Sequence, residues 1–251
     1  MHLNRNDLEQ PNRPVSYKES WDSYWRDVTP RPGVAFWDST PDQAVQRELS
    51  LFAGAFDLRL PVIDVGCGNG TQTRCLADSF ARVIGVDVSE EALRGARLHH
   101  GAANVEYRAL DLLDGPAVHA LHAELGDANL YLRGVLHQLR PEDRIPAAHH
   151  LAALLGERGQ AFLVELAPAA EHLFASLVAR FGALPVKLQH VLSHGIVPAL
   201  LREGDLLALF HQAGFVPRAQ GITTVVTTQA LPSGEIIEVP CDYFLFQRAA
   251  V

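Results

Sequence analysis

The chain has 251 residues, of which 48% are hydrophobic, and carries 29 acidic against 21 basic side chains. This length and hydrophobic content are enough to bury the core of one α/β domain, so the composition excludes a disordered protein. The formal net charge of −8 argues against nucleic-acid binding, which needs a basic face. We therefore expect a globular protein with no nucleic-acid partner.

The three cysteines, Cys67, Cys75 and Cys241, form no Cys-x-x-Cys pair. This spacing argues against a disulfide framework and against structural zinc, and it fits the reducing cytoplasm. The polar N-terminus does not resemble a signal peptide, and no apolar run is long enough to span a bilayer. The sequence thus predicts a cytoplasmic protein without a membrane span.

The N-terminal region is rich in aromatic side chains. Helical spacing relates Tyr17, Trp21, Tyr24, Trp25 and Val28. The spacing predicts a helix that either packs on the domain surface or covers a ligand site as a lid. A second helix is predicted over 41–56. We assign 1–56 to an N-terminal helical extension, or lid, and 57–251 to the main domain.

A buried strand over 62–65 leads into a glycine-rich turn, which reads Asp64-Val65-Gly66-Cys67-Gly68-Asn69-Gly70. Strand, turn and the helix predicted from Thr71 form the first half of a nucleotide-binding βαβ unit. The dinucleotide fingerprint is not met, because its third glycine comes one residue early. The Asp64 carboxylate would repel a pyrophosphate but suits a ligand that carries an ammonium group.

Two later strands also end in an acid. Asp87 follows a buried strand and precedes Val88, and Asp111 follows an alternating strand and precedes Leu112. A carboxylate at the tip of the second strand can accept both ribose hydroxyls. For each acid alone, a solvated turn residue is the alternative.

The fourth strand, over 127–133, ends at Arg133, and His137 lies in the turn that follows. Ligands in open α/β sheets bind outside the carboxyl ends of the strands, so both side chains are expected to face the reaction site. A fifth strand is predicted over 160–166. The pattern after 202 predicts a helix and then an antiparallel hairpin that ends near 247.

About 30 residues, 169–201, are inserted after strand five. They contain two apolar helical segments, Leu173–Phe181 and Val186–Leu201. The apolar side chains of these segments, including Phe174, are expected either to line a pocket or to pack in the protein core. His190 and His194 are four residues apart, a spacing that can bind a metal. The pair has neither the intervening Glu of H-E-x-x-H nor an obvious third ligand, so we expect no metal there.

The glycine-rich turn closely resembles motif I, [DE]-x-G-x-G-x-G, of the class I S-adenosylmethionine-dependent methyltransferases. The resemblance covers roughly 60–165 by motif and 202–248 by pattern. It implies an α/β fold with a Rossmann-like, seven-stranded, mostly parallel sheet and an antiparallel C-terminal hairpin. The N-terminal helical lid and the helical insert after strand five would be additions to that fold.

The resemblance also implies S-adenosylmethionine as cofactor, S-adenosylhomocysteine as product and no metal. Asp111 would accept from the adenine amino group, and Leu112 would pack on the ring. The implied cofactor-binding residues are Asp64, Gly66, Cys67, Gly68, Asn69, Gly70, Asp87, Val88, Asp111, Leu112, Arg133 and Trp25. The implied catalytic residues are His137 and Arg133. Substrate contacts are expected from Tyr24, Phe174, His190 and His194.

The implied reaction is direct methyl transfer to a small, partly apolar molecule by a monomer or homodimer. We expect an oxygen acceptor, either a carboxylate or a hydroxyl, and Arg133 favours an acidic one. The tetrapeptides typical of amide or adenine nitrogen methylation are absent after strand four. Methylation of nitrogen, in a small molecule or a macromolecule, is one alternative, and a catalytically silent cofactor-binding partner is another.

Overall fold

The computed structural model describes residues 16–28, 33–40, 44–199 and 201–249. Within these residues the helices are α1 Tyr17–Asp27, α2 Val45–Phe52, α3 Thr71–Leu76, α4 Glu90–His99, α5 Gly115–Leu125, α6 Pro141–Leu155, α7 Ala169–Phe181, α8 Val186–Ser193 and α9 Glu203–Gln212. The strands are β1 Val62–Val65, β2 Val83–Asp87, β3 Val105–Ala109, β4 Asn129–Arg133, β5 Gln160–Leu166, β6 Phe215–Ala230 and β7 Ile236–Arg248. A short 3-10 turn, Leu136–Gln138, follows β4.

The strands form one seven-stranded sheet in the order β3-β2-β1-β4-β5-β7-β6. Neighbours from β3 to β5 pair in parallel, and β7 pairs antiparallel with both β5 and β6. Six strands therefore run in one direction, and only β7 is reversed. This confirms the predicted sheet with its C-terminal hairpin.

Helices cover both faces of the sheet, which is why β1 and β2 are buried along their whole length. On one face, apolar side chains of α5, α6 and α9 pack on the sheet around Leu151 and Phe210. On the other face, α2, α3 and α7 form a second core around Phe52, whose ring lies 4.6 Å from that of Phe162 between centroids. At the carboxyl ends of the parallel strands, Val65, Asp87 and Arg133 line a cavity.

Helix α1 lies across those carboxyl ends. Ser16 caps its first turn by accepting from the Glu19 backbone N–H at 3.2 Å. Asp22 accepts from the Ser89 hydroxyl at 2.7 Å, and the Tyr17 hydroxyl donates to Asp143 at 2.7 Å. These contacts join α1 to α4 and α6. The division into a 1–56 extension and a 57–251 domain stays a prediction, since residues 1–15, 29–32 and 41–43 lie outside the described residues.

The insert contains the two predicted helices, but the second is shorter than predicted. Helix α8 ends at Ser193 and does not continue to residue 201. Gly195 follows with a φ of +73°, and Pro198 lacks the N–H that a helix needs, so the chain turns away. In the part of the chain that the structure describes, no helix combines the length and apolar character needed to cross a bilayer.

Candidate active site

The glycine turn after β1 brings bare backbone to the edge of a large cavity. Gly66, Gly68 and Gly70 have φ values of +72°, +54° and +83°, which L side chains rarely adopt. A Cβ on Gly66 would lie 2.8 Å from a methyl of Val135, and one on Gly68 would lie 3.0 Å from the Trp25 ring. Only glycine therefore leaves this wall open to a ligand.

Two buried carboxylates stand beside the turn. Asp87 accepts from the backbone N–H groups of Gly68 and Ser89, each at 2.8 Å, and it lines the cavity. Burial raises the pKa of Asp87 to about 6. Asp64 accepts from the Thr73 hydroxyl at 2.6 Å, and burial raises its pKa to about 7. Asp64 is not among the described residues that line the cavity, so its contact with an ammonium group stays a prediction.

Two other residues of the turn, Cys67 and Asn69, contact neighbouring parts of the protein. The Cys67 side chain is buried in a small cluster with Tyr107. The Asn69 amide donates to Asp38 at 2.8 Å and connects the turn to the segment after α1. Neither side chain is among the described cavity-lining residues. The sequence pattern predicted ligand contacts for both, and these contacts stay predictions.

Another part of the cavity wall is formed by residues that follow β2 and β3. Val88, Asp111 and Leu112 lie there, and their predicted contacts with an adenosine stay predictions. Asp111 accepts from the Leu113 backbone N–H at 2.9 Å, and its carboxylate remains exposed. The open glycine wall, Asp87 at the tip of β2 and an apolar slot with an exposed acid fit the nucleoside end of S-adenosylmethionine.

Aromatic side chains roof the cavity. We call Trp21, Tyr24, Trp25 and Trp37 the aromatic roof. Their rings are 5.2–6.2 Å apart between centroids in the contacting pairs. The three tryptophans line the cavity. Trp37 was not predicted from the sequence, because it lies in an irregular segment without helical or strand periodicity.

Arg133, at the end of β4, lines the cavity but is already engaged. Its guanidinium donates to the Trp37 carbonyl at 3.1 Å and to the Ser39 hydroxyl at 2.8 Å. Its Nε lies 3.5 Å from the buried Glu48 carboxylate, which also accepts from the Tyr131 hydroxyl at 2.5 Å. The cation thus connects the N-terminal segment to the sheet and balances a buried charge.

His137 lies on the cavity wall in the 3-10 turn after β4. Its Nδ1 is 2.7 Å from Glu165, and its Nε2 is 2.7 Å from the Gln138 side-chain amide. Glu165 also accepts from the backbone N–H groups of Val135 and Leu136 at 3.0 and 2.8 Å. With an ionised Glu165, the Nδ1–H donates and the Nε2 lone pair accepts from Gln138, so a substrate that displaced this amide would meet a base.

The remaining wall is apolar and comes from the insert and the hairpin. The cavity has a volume of about 1200 Å³. Phe174 and Val178 of α7, Leu188 of α8, and Val225 and Val239 of the hairpin line it. Phe174 therefore lies where substrate contact was predicted, although no observation tests that contact. The hairpin contribution was missed, because alternation along β6 and β7 does not say which face meets a ligand.

The other predicted substrate residues lie elsewhere. His190 and His194 pack on Tyr24, with ring centroids 5.7 and 5.8 Å away. His194 Nδ1 is 2.9 Å from the Ser23 hydroxyl. Tyr24, His190 and His194 are not among the described residues that line the cavity. The structure thus places the two histidines against α1, and the contact of all three side chains with substrate stays a prediction.

Comparisons with known proteins agree on one family. A family model described as a methyltransferase domain matches residues 62–159. A solved S-adenosylmethionine-dependent methyltransferase from Anabaena variabilis is 35% identical, with a TM-score of 0.89 over 96% of this chain and 97% of that one.

Curated relatives match over shorter stretches. Juvenile hormone acid O-methyltransferase of Bombyx mori is 33% identical over 111 residues, 42% of this chain and 37% of that protein. A ubiquinone biosynthesis O-methyltransferase of Leptothrix cholodnii is 41% identical over 68 residues, 26% of each chain. The matched segments thus span between a quarter and two fifths of these relatives.

Proposed function

We propose that this chain, which belongs to the class I S-adenosylmethionine-dependent methyltransferases, methylates a hydroxyl oxygen of a small, largely apolar molecule. The cofactor supplies an electrophilic methyl group on a sulfonium ion. The chain's own residues must hold the acceptor in line, keep water out and take up the acceptor's proton. The observation that carries the proposal is the Glu165–His137 pair on the cavity wall, with its 2.7 Å contact.

His137 supports a hydroxyl acceptor because its Nε2 can take a proton. The acceptor O–H would replace the Gln138 amide at Nε2. The proton would move from oxygen to Nε2 as the new O–C bond forms and the sulfur–methyl bond breaks, with S-adenosylhomocysteine as the leaving group. Glu165 would then face an imidazolium and stabilise it through the Nδ1–H, in the manner of the acid in a Ser-His-Asp triad. General bases of this kind contribute about 10²–10⁴-fold to turnover.

Arg133 supports the same choice in a different way. Two of its nitrogens already donate to Trp37 and Ser39, and the third faces Glu48. A substrate carboxylate would have to compete with these partners for the guanidinium. This reverses our expectation from the sequence, in which a free Arg133 favoured an acidic acceptor.

The volume and lining of the cavity support a small substrate with an apolar body. About 1200 Å³ exceeds the space that most small ligands need, so cofactor and acceptor fit together. The apolar side chains of α7, α8 and the hairpin would stabilise the acceptor by burial, at about 25 cal/mol for each Å² removed from water. The O-methyltransferases among the relatives support oxygen as the acceptor atom.

To test the proposal, the protein is incubated with radiolabelled S-adenosylmethionine and pairs of candidate acceptors. The two members of each pair share the same apolar tail, but one carries a hydroxyl group and the other a carboxyl group. We expect label in the hydroxyl member of a pair. His137→Gln should lower turnover by about 10²–10⁴-fold while S-adenosylhomocysteine binding persists. His172→Gln is the matched control, because this second cavity histidine has no comparable acid partner among the described contacts.

Carboxylate methylation is the second candidate, since Arg133 lines the cavity and one relative is named for an acid. Label in the carboxyl member, with His137→Gln fully active, would refute the hydroxyl proposal. Arg133→Lys would then raise the KM of the acid, because lysine keeps the charge beside Glu48 but loses the bidentate fork. Cofactor binding without any labelled product would instead favour the silent binding partner.

A further inference from the structure

Three possible metal ligands meet where α1 ends against α8. They are Asp27, the last residue of α1, with His190 and His194 of the insert. One ligand atom from each lies within 4.8 Å of the other two. His194 Nε2 and Asp27 Oδ2 are 3.4 Å apart. The sequence showed the two histidines without a third ligand, and the fold supplies it.

We propose that Asp27, His190 and His194 bind one divalent transition-metal ion of the Zn²⁺ type, which connects α1 to the insert. Two imidazoles and a carboxylate are a donor set that Zn²⁺ accepts, with metal–ligand distances of about 2.0–2.2 Å. Tetrahedral geometry then separates neighbouring ligand atoms by roughly 3.3 Å. The His194–Asp27 pair already has this spacing, and a His190 nitrogen lies within 4.8 Å of both ligand atoms, so it would have to move closer to become the third ligand.

The surroundings of His194 suit a ligand. Its Nδ1 is 2.9 Å from the Ser23 hydroxyl, so the Nδ1–H can donate there while Nε2 faces the ion. Such an outer hydrogen bond fixes the tautomer and the ring orientation of metal-binding histidines. The Asp27 side chain is 61% exposed, so water can complete the coordination.

Both elements that the ion would connect form the upper wall of the cavity. Helix α1 contributes Trp21 and Trp25, and α8 contributes Leu188 and Val191. None of the three ligands is among the described residues that line the cavity. The ion would therefore hold the roof closed, whatever the acceptor is.

The test uses the full chain, stripped with a chelator and titrated with Co²⁺ and Zn²⁺. We expect one Co²⁺ per chain with the strong visible absorption of a four-coordinate site, lost when Zn²⁺ displaces it. Asp27→Asn and His190→Gln should each weaken Zn²⁺ binding at least tenfold, and Ser23→Ala by about tenfold. His99→Gln, an exposed histidine on α4, is the matched control and should bind Zn²⁺ like the parent.

Hydrogen exchange gives a second readout. Zn²⁺ should slow amide exchange in both 17–27 and 186–194 of the parent and in neither segment of Asp27→Asn. Zn²⁺ binding that is equally tight in the parent, Asp27→Asn and His190→Gln would overturn the proposal. So would binding that slows exchange in only one of the two segments. Neither result depends on methyl transfer, so the test stands apart from the proposed function.

Discussion

The two ends of the cavity are built in different ways. At the cofactor end, backbone groups and carboxylates come from one continuous stretch, from Asp64 to Leu112, in which each turn follows a strand. At the end that we propose for the substrate, the wall is made of apolar side chains from the insert helices α7 and α8 and from the hairpin, which follows only after α9. The first end depends on local backbone geometry, and the second depends on long-range packing.

Because of this difference, the two ends differ in the substitutions that they tolerate. A side chain on Gly66 or Gly68 meets both a positive φ and a close neighbour, so the cofactor end tolerates little change. An apolar wall accepts other apolar residues of similar volume at modest cost. Under the proposed function, the fold would couple a fixed methyl-donor site to a substrate site that tolerates substitution. Perturbing one end should leave the other functional.

The largest expected effect is at Arg133, which connects the N-terminal segment to the sheet. Arg133→Leu should lower the free energy of unfolding by about 3–5 kcal/mol, because the buried Glu48 carboxylate loses its cation. Urea denaturation measures this loss. Arg133→Lys, which keeps a charge near Glu48, should cost clearly less. A loss below about 1 kcal/mol in Arg133→Leu would show that the Arg133–Glu48 contact contributes little to the stability of the fold.

A smaller effect concerns pH and the cofactor end alone. Burial raises the pKa of Asp87 to about 6, and the ionised form is the better acceptor for ribose hydroxyls. Binding therefore favours the deprotonated protein, and below pH 6 the affinity for S-adenosylhomocysteine should fall by up to about tenfold per pH unit. Calorimetry between pH 5 and 8 measures it. The same slope in Asp87→Asn would assign the dependence to another group.

The smallest effect concerns α1, which covers both ends. S-adenosylhomocysteine should slow amide exchange across 16–28 several-fold, because the roof tryptophans would then pack on a ligand. The measurement is made with chelator present, so that no metal contributes. Helix α5, none of whose described residues lines the cavity, serves as the internal control. Equal exchange with and without ligand would make α1 a surface helix and not a lid.

The difference between local backbone geometry and long-range packing also explains which features could be predicted from the sequence. The glycine turn and the acids at the strand ends were visible, since each needs a particular residue at a particular place. The bounds of β5 were predicted to the residue, because an apolar run stands between Gly159 and Pro168. The end of α8 was predicted too late, because apolar residues continue past Gly195 in a segment that is no longer helical.

Partners brought together by folding were not visible. Glu165 lies inside an apolar strand, and only the fold shows that its carboxylate holds the turn of His137. Arg133 looked available for a substrate, until the structure paired it with Glu48. Asp27 had no visible link to His190. Each case needs contacts between segments far apart in the chain, which no local pattern records.

The most direct test of separate ends compares the calorimetric affinity of S-adenosylhomocysteine for Asp87→Ala and Phe174→Ala. Asp87→Ala should weaken binding by about 1.5–3 kcal/mol, roughly 10- to 150-fold, through the loss of hydrogen bonds to a charged group. Phe174→Ala should change it less than about twofold, because its ring packs toward Phe36 in the apolar wall. NAD should not bind to the parent. Equal losses in the two variants, or unchanged binding in Asp87→Ala, would contradict the division of the cavity.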